Sequence, residues 1–305
     1  MAVLKRLSTG SEHVLVAHHV VGRVSTCQLR VGDPQVSGLH AEISWDGDRW
    51  LLQDLGSRNG TFVDGTRLAA GERAAVRRGA QLAFGDPADG YEVIDVGPPH
   101  LVAIAADGRW VVAESNLMCL PSNDRPLLTV FENAGGRWVL ESDETHRTVE
   151  DHETVVVEGT SWTLHLPKAS DRTRDAQGQA LPLSAIGLEF SVSRDQEHVA
   201  IQLQHEQSSA ELEARAHGQL LLELARTRLA DAANPELAEP EHGWVHREDL
   251  ARRLAIDPPL LNLWVHRARQ QLVKTGIRDA GDVIERRPST LQLRIGVSRL
   301  TIHEA

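Results

Sequence analysis

The sequence predicts a multidomain chain with an all-β sandwich at its N-terminus, a β-rich middle segment and an α+β domain at its C-terminus. Three observations carry that reading. Apolar and polar residues alternate with period two between Asp-Gly turns over residues 1–96, and less regularly over 97–168. A polar stretch at 169–185, holding Gly178 and Pro182, then breaks the pattern and reads as a linker. Beyond it, helix-period segments lie between short β pairs over 186–305. At roughly 100–200 residues per domain, 305 residues suffice for two or three domains, each with its own core.

Taken in order, residues 39–45 (LHAEISW) alternate as a half-buried strand, Asp46-Gly47 turns the chain, and Trp50-Leu51-Leu52 returns. A second Asp-Gly at 64–65 follows Thr61-Phe62-Val63, and short strands at this spacing predict a sandwich. His18 and His19 sit on a strand and point to opposite faces. In the middle segment Asp107-Gly108 leads into Arg109-Trp110-Val111-Val112, and residues 137–141 (RWVLE) echo residues 49–53 (RWLLQ). That echo is compatible with a degenerate internal repeat, and the alternative is a generic β-meander. After the linker come a β pair at 188–192 and 199–203, a helix over 209–232 ended by Pro235 and Pro240, and a helix over 247–254. A third helix over 260–275 starts at Pro258-Pro259 and stops near Gly276, and a hairpin of 283–287 with 291–295 follows.

Composition bounds the function. Apolar residues are 41% and charged residues 25%, ordinary for a globular chain and unlike a disordered, collagenous or disulfide-scaffold one. Cys27 and Cys119 have no Cys/His cluster beside them, so neither a zinc site nor a disulfide framework is expected, and no metal or cofactor. The longest apolar runs, such as Val155-Val156-Val157, fall far short of the roughly 20 residues of a membrane span. Polar residues 8–13 interrupt the start, so a signal peptide is not expected, and the reading is cytoplasmic with free thiols and no membrane partner. The phosphate-loop, metalloprotease, nucleophile-elbow and kinase motifs do not occur, so an enzyme is not expected. The net charge is −11, yet residues 241–305 hold eleven Lys and Arg against eight Asp and Glu. A polyanion site is therefore expected there.

The densest signal is Gly22-Arg23, then Ser37-Gly38-Leu39-His40, then Gly56-Ser57-Arg58-Asn59-Gly60-Thr61. In this order and on this strand background the three motifs resemble the forkhead-associated (FHA) domain, over about residues 10–96. The resemblance implies a β-sandwich that binds phosphothreonine peptides through loops at one end. Arg23 offers a planar fork of donors to a phosphate, Ser37 a hydroxyl, and Asn59 an amide for the backbone of an extended peptide. Arg58 holds the family position beside that Asn, where a side chain reaches the peptide. Gly22, His40 and Gly60 are the implied scaffold. Gly38 departs from the family, where a basic or polar side chain often follows the Ser, which leaves open a sandwich that no longer binds phosphate. Ser170 and Thr173, flanked by Arg172 and Arg174, read as a solvated linker, or as an internal phosphorylated ligand.

The order sheet, three helices, hairpin over about 186–302 resembles the winged-helix DNA-binding effector domain of response regulators. The helix around 262–272 corresponds to the family's recognition helix, and Arg287 falls where the family carries a wing arginine. At about 100° per residue, Leu261, Val265, Ala268 and Leu272 share the core stripe. His266, Arg267, Gln270 and Lys274 gather opposite, where they are expected to reach base edges. Arg269 lies at the flank for a phosphate, and Arg286, Arg287 and Arg294 charge the wing. The resulting expectation is a phosphothreonine-reading regulator with two partners: a phosphothreonine-containing protein or Ser/Thr kinase, and duplex DNA. The alternative is an adaptor whose winged helix docks on protein.

Overall fold

The computed structural model describes residues 1–114, 116–167, 181–206 and 208–304. The described chain divides into two compact units, one of residues 1–100 with 165–167, the other of 101–164 with 181–304. Among the described residues no helix is long and apolar enough to cross a membrane. Cys27 and Cys119 are both free thiols and buried.

The first unit is a sandwich of two sheets. One holds β1 (Ala2–Arg6), β2 (Glu12–Val14), β7 (Thr61–Val63), β8 (Thr66–Arg67), β10 (Gln81–Phe84) and β11 (Gly90–Val96), in the order β2-β1-β11-β10-β7-β8. The other holds β3 (His18–Gly22), β4 (Leu29–Arg30), β5 (Ala41–Trp45), β6 (Trp50–Asp54) and β9 (Arg73–Ala75), in the order β4-β3-β5-β6-β9. Register is set where alternation meets the core: Ile43 opposes Leu52 and Trp45 opposes Trp50, all four buried. The turn between them is held by Asp46, whose Oδ1 accepts the N–H groups of Asp48 and Arg49, with Gly47 at φ +101°. Strand β5 begins only at Ala41. Residues 39 and 40, expected to begin it, belong to a loop instead, because the His40 ring is turned inward and ties that loop down.

In the second unit, residues 101–164 build two four-stranded sheets. The first takes β12 (Val102–Ala105), β13 (Trp110–Val112), β18 (Thr154–Val157) and β19 (Thr160–His165), ordered β13-β12-β19-β18. The second is β14 (Leu117–Ser122), β15 (Arg125–Glu132), β16 (Trp138–Glu141) and β17 (His146–Thr148), in sequence order. Residues 101–164 belong to the same compact unit as the C-terminal elements.

Those elements start with β20 (Gly187–Val192), β21 (Val199–His205) and β22 (Ser208–Leu212). Helix α1 (Gly218–Ala232) begins nine residues later than its apolar spacing predicts. The reason is that Ser208–Leu212 pairs in register with β21, placing buried Leu212 opposite Ile201. There follow β23 (Val245–His246), α2 (Arg247–Arg253), α3 (Pro258–Lys274), the hairpin β24 (Ile284–Arg287) with β25 (Gln292–Ile295), and β26 (Arg299–Glu304). Asp257 caps α3 by accepting the Leu260 N–H at 2.8 Å, Pro258 and Pro259 fill its first turn, and Gly276 at φ +84° follows its end. Strand β23 joins the hairpin by pairing with β25, and β26 runs parallel to β20 as an edge strand. Much of the expected linker, 169–180, and with it Ser170 and Thr173, lies outside the described residues. Its end is structured: Leu181 bridges Ile277, and Asp279 Oδ1 accepts the Leu183 N–H at 2.6 Å.

Gly22 ends β3 at a point where a side chain has no room: a Cβ there would fall on the Gly38 carbonyl oxygen and 2.8 Å from Cys27 Sγ. Gly22→Ala is expected to lower the thermal midpoint of unfolding by an amount equivalent to about 1–3 kcal/mol of overpacking. Gly32→Ala, with nothing within 4 Å of its added Cβ, should stay within about 0.5 kcal/mol of the parent.

Candidate functional site

Three loops of the first unit meet at one end of its sandwich, and backbone bonds join them. The Arg23 N–H donates to the Ser37 carbonyl at 3.0 Å and the Val24 N–H to the Gly38 carbonyl at 3.3 Å. Ser37 Oγ accepts the Arg58 N–H at 3.1 Å, which leaves the hydroxyl hydrogen to be donated outward. Arg23 and Arg58 are exposed, and neither has a carboxylate partner among the described residues. Two unpaired guanidinium groups and a free hydroxyl on linked loops form a donor set for a small multivalent anion. Asn59 is half committed: its amide N–H donates to the Gln35 carbonyl at 2.8 Å, leaving the second N–H and the amide oxygen. Gly38 lies against the Val24 side chain, so that position has an apolar neighbour where a polar contact is often found in the family.

Fully buried His40 holds the loops. Its Nδ1 accepts the Ser37 N–H at 3.0 Å, and its Nε2–H donates to the Gly60 carbonyl at 3.0 Å, which also takes the Gly85 N–H. Those two bonds fix one neutral tautomer. Burial lowers the imidazole's pKa, against the Gly60 carbonyl and Asp54, which favour the charged form. Gly60 sits at φ +97°, and a Cβ there would run into Arg67. The residue that sequence reasoning missed is Asp54, at the end of β6. One oxygen accepts the Gly56 and Ser57 N–H groups at 2.8 and 2.9 Å, and the other the Ser57 and Thr61 hydroxyls, each at 2.6 Å. Burial pushes its carboxyl up, but these bonds outweigh that and hold it below the usual range. An Asp two residues before Gly-Ser is an Asx-turn signature, so the signal was present.

The second set of expected site residues is placed differently. His266, expected on the free face of α3, and Arg269, expected at its flank, are 2% and 1% exposed. The β14–β17 sheet covers that side of the helix. Arg269 donates to both oxygens of Glu141, at 2.6 and 3.1 Å, and to the Ile284 carbonyl at 2.6 Å. Arg286 also meets Glu141, at 3.0 Å, and Asp143 at 2.8 Å, which is further paired with Arg247 at 2.9 Å. Gln270 donates to Glu114 at 2.6 Å, and Lys274 lies 4.0 Å from the same carboxylate. On the hairpin, Arg287 makes a two-pronged bond to Glu241 and Arg294 pairs with Glu285, both guanidinium groups stacking on Trp244. Of the eight residues expected to face DNA, Arg267 alone is exposed with no ion pair among the described residues.

The His266 ring meets a thiol. Cys119 Sγ is 3.0 Å from His266 Nδ1, within a strand-to-helix contact. Burial raises the thiol to about 12, and burial together with Arg269 brings the imidazole to about 4, so the pair is a neutral thiol donating to a neutral ring. Glu141, by contrast, is held ionised, at about 2: Arg269, His146 and Arg286 overcome a burial that alone would raise it.

The first set of loops defines a class. Residues 19–85 match the FHA domain family, and this part of the chain is an FHA domain. Among curated proteins the chain is 33% identical over 94 residues to the FHA domain-containing protein FhaB of Mycolicibacterium smegmatis, covering 30% of this chain and 52% of that protein. To FhaA of Mycobacterium tuberculosis it is 48% identical over 46 residues, or 15% of this chain and 9% of the relative. A solved structure of the FhaA FHA domain complexed with the intracellular domain of Rv3910 is 29% identical, with 30% of this chain and 99% of that chain covered at a TM-score of 0.28. The chain thus spans about half the length of FhaB and less than a tenth of FhaA.

Two expectations follow. Glu141→Ala leaves Arg269 and Arg286 buried beside an empty site and should cost about 3–5 kcal/mol in urea unfolding. Adding Arg269→Met should recover part of that loss, because the deepest unpaired charge is then gone. The His266 pKa is lowered in the folded state, so the unfolded chain takes up the proton first, and stability falls as pH drops from about 6.5 toward 4. His266→Gln should flatten the unfolding midpoint across that window relative to the parent. The steeper loss below pH 4.5, from Glu141, should remain in both proteins.

Proposed function

We propose that the chain is a non-enzymatic signalling regulator that reads phosphothreonine through its FHA domain and acts on duplex DNA through a C-terminal winged helix. The observation that carries the first half is the donor set of Arg23, Arg58 and the Ser37 hydroxyl. All three are positioned by His40 and Asp54 and have no internal anion to satisfy them. Arg23 and Ser37 are assigned to the phosphate, Arg58 and Asn59 to the peptide, and Gly22, His40 and Gly60 to the scaffold. The partner is a protein phosphorylated on threonine by a Ser/Thr kinase, or that kinase itself, and the setting is the cytoplasm.

The second half is supported by the order of elements. A small sheet, β20–β22, precedes three helices, α3 is capped and followed by a two-stranded hairpin, and β23, between α1 and α2, pairs back onto that hairpin. This order supports the winged-helix reading, and its last segment is the net-basic part of the chain. The adaptor reading is favoured by one observation: α3 already docks on protein, the β14–β17 sheet of its own chain.

Calorimetric titration of the full chain with a phosphothreonine peptide, and with the same peptide unphosphorylated, tests the FHA half. Binding is expected only to the phosphorylated form. Arg23→Ala should weaken it by about 1.5–3 kcal/mol, the worth of a charged hydrogen bond, and Arg58→Ala by less. Equal isotherms for parent and Arg23→Ala would remove Arg23 from the site.

A further inference from the structure

We propose that the β14–β17 sheet, with the turn that leads into it, is a built-in competitor for duplex DNA: the carboxylates Glu114, Glu141 and Asp143 occupy the cations and the helix face of α3 that a DNA backbone and groove would take. This rests on the winged-helix reading above, and adds to it a binding face and its intramolecular occupant.

Geometry excludes both occupants at once. A major groove about 12 Å wide admits a bare helix of about 10–12 Å diameter and nothing alongside it. With the β14–β17 sheet packed on one side of α3, the helix cannot enter. The contact follows α3 along one stripe, through Asn262, His266, Arg269 and Gln270 to Lys274. Beside that stripe the helix still opens onto a cleft of about 520 Å³ lined by Arg215, Trp264, Arg267, Gln270 and Lys274. A helix uncovered on that flank alone can touch a phosphate through Arg267, but the Gln270 amide there is already bonded to Glu114.

The chemistry of the seam imitates what it displaces. Glu141 takes a two-pronged bond from Arg269 and lies against Arg286, the arrangement a guanidinium makes with a phosphate. Asp143 gathers Arg247, Arg286 and Asn262, three donors drawn from α2, α3 and the hairpin. Glu114 takes Gln270 and Lys274. Three carboxylates thus neutralise Arg269, Lys274 and Arg286, three of the six Arg and Lys expected to release counterions on binding DNA.

The seam is also built to separate. The apolar core of the C-terminal elements runs from Leu183 to Val297 and includes no residue of 101–164. The apolar part of the seam is a small cluster, Leu117, Phe131 and Val139, which meets the C-terminal elements at Val273 and Gly281. Parting the two surfaces leaves the C-terminal core whole and returns water to both members of every ion pair. Deleting one partner while the seam stays closed does neither.

The test uses the full chain, a fluorescent 30-base-pair duplex of mixed sequence, and anisotropy at low salt. Glu114→Cys with Lys274→Cys places two thiols at an exposed part of the seam, to be joined by a short cleavable bis-thiol reagent; Cys27 and Cys119 are buried and spared. Joining the surfaces should weaken DNA binding at least tenfold relative to the same protein unjoined, and cleavage should restore it. In parallel, Asp143→Lys sets a cation against Arg247 and Arg286 and should tighten binding at least tenfold with a steeper salt dependence. Glu144→Lys, the same charge change on the exposed neighbour, should change it far less. If duplex binding is measurable but the joined and cleaved proteins bind alike, or Asp143→Lys gains no more than Glu144→Lys, the competitor proposal is overturned and the DNA reading stands. If no form binds, including a folded Asp143→Lys, the DNA reading itself falls and takes the proposal with it.

Discussion

A charge or a polar group can leave water only if partners inside the protein replace what the water supplied. That constraint decides the shape of both units of this chain. In the second, the Glu141 carboxylate is 2% exposed at the end of a strand, and it is tolerable there only because Arg269 and Arg286 close on it. The pairing fixes the rotation of α3 about its own axis relative to the β14–β17 sheet, since Arg269 must point at Glu141 while Leu261, Val265, Ala268 and Leu272 point at the C-terminal core. Once that rotation is set, His266 has no choice but to lie over Cys119, and Gln270 over Glu114.

In the FHA domain the same constraint works through smaller groups. Four donors converge on buried Asp54, and His40 spends both ring nitrogens on backbone. The loops at that end therefore owe their shape to internal polar pairing. This is why the backbone that carries Arg23, Arg58 and Ser37 is held while their outward groups stay unpaired. Gly22 belongs to the same logic. It permits the backbone of residues 22 and 38 to lie in contact, so that Arg23 starts from a fixed point.

Much of this was legible in the sequence because it is local. Alternation and an Asp-Gly turn located the β5–β6 hairpin, and three short motifs located the FHA loops. Capping residues and Gly276 located α3 to within two residues. Where the reading failed, the cause was a partner distant in sequence. A helical wheel separates the α3 face that meets its own core from the face that does not, but it carries no information about a sheet that arrives from more than a hundred residues earlier. His266 and Arg269 look like surface residues on the wheel for that reason. Helix α1 was extended backward over Ser208–Leu212 for a related one: Leu212 fits a helical spacing equally well, and only pairing with β21 makes it a strand residue. Glu141 had a weak signal of its own, a carboxylate closing the apolar run Trp138-Val139-Leu140, which marks a charge that needs a buried partner.

Charge counting shows how far such a reading can mislead. The excess of basic residues in 241–305 is real, yet Arg247, Arg269 and Arg286 are spent on carboxylates of residues 101–164, while Arg287 and Arg294 are spent on Glu241 and Glu285. A net charge summed over a segment measures the field at long range, where salt screens it within about 10 Å. The field at contact is set by which cations lack partners, and on α3 that is chiefly Arg267. The sheet-facing side of α3 and the hairpin therefore offer little free positive surface while the β14–β17 sheet is in place. Any polyanion that binds there must first compete with Glu114, Glu141 and Asp143 for the same donors.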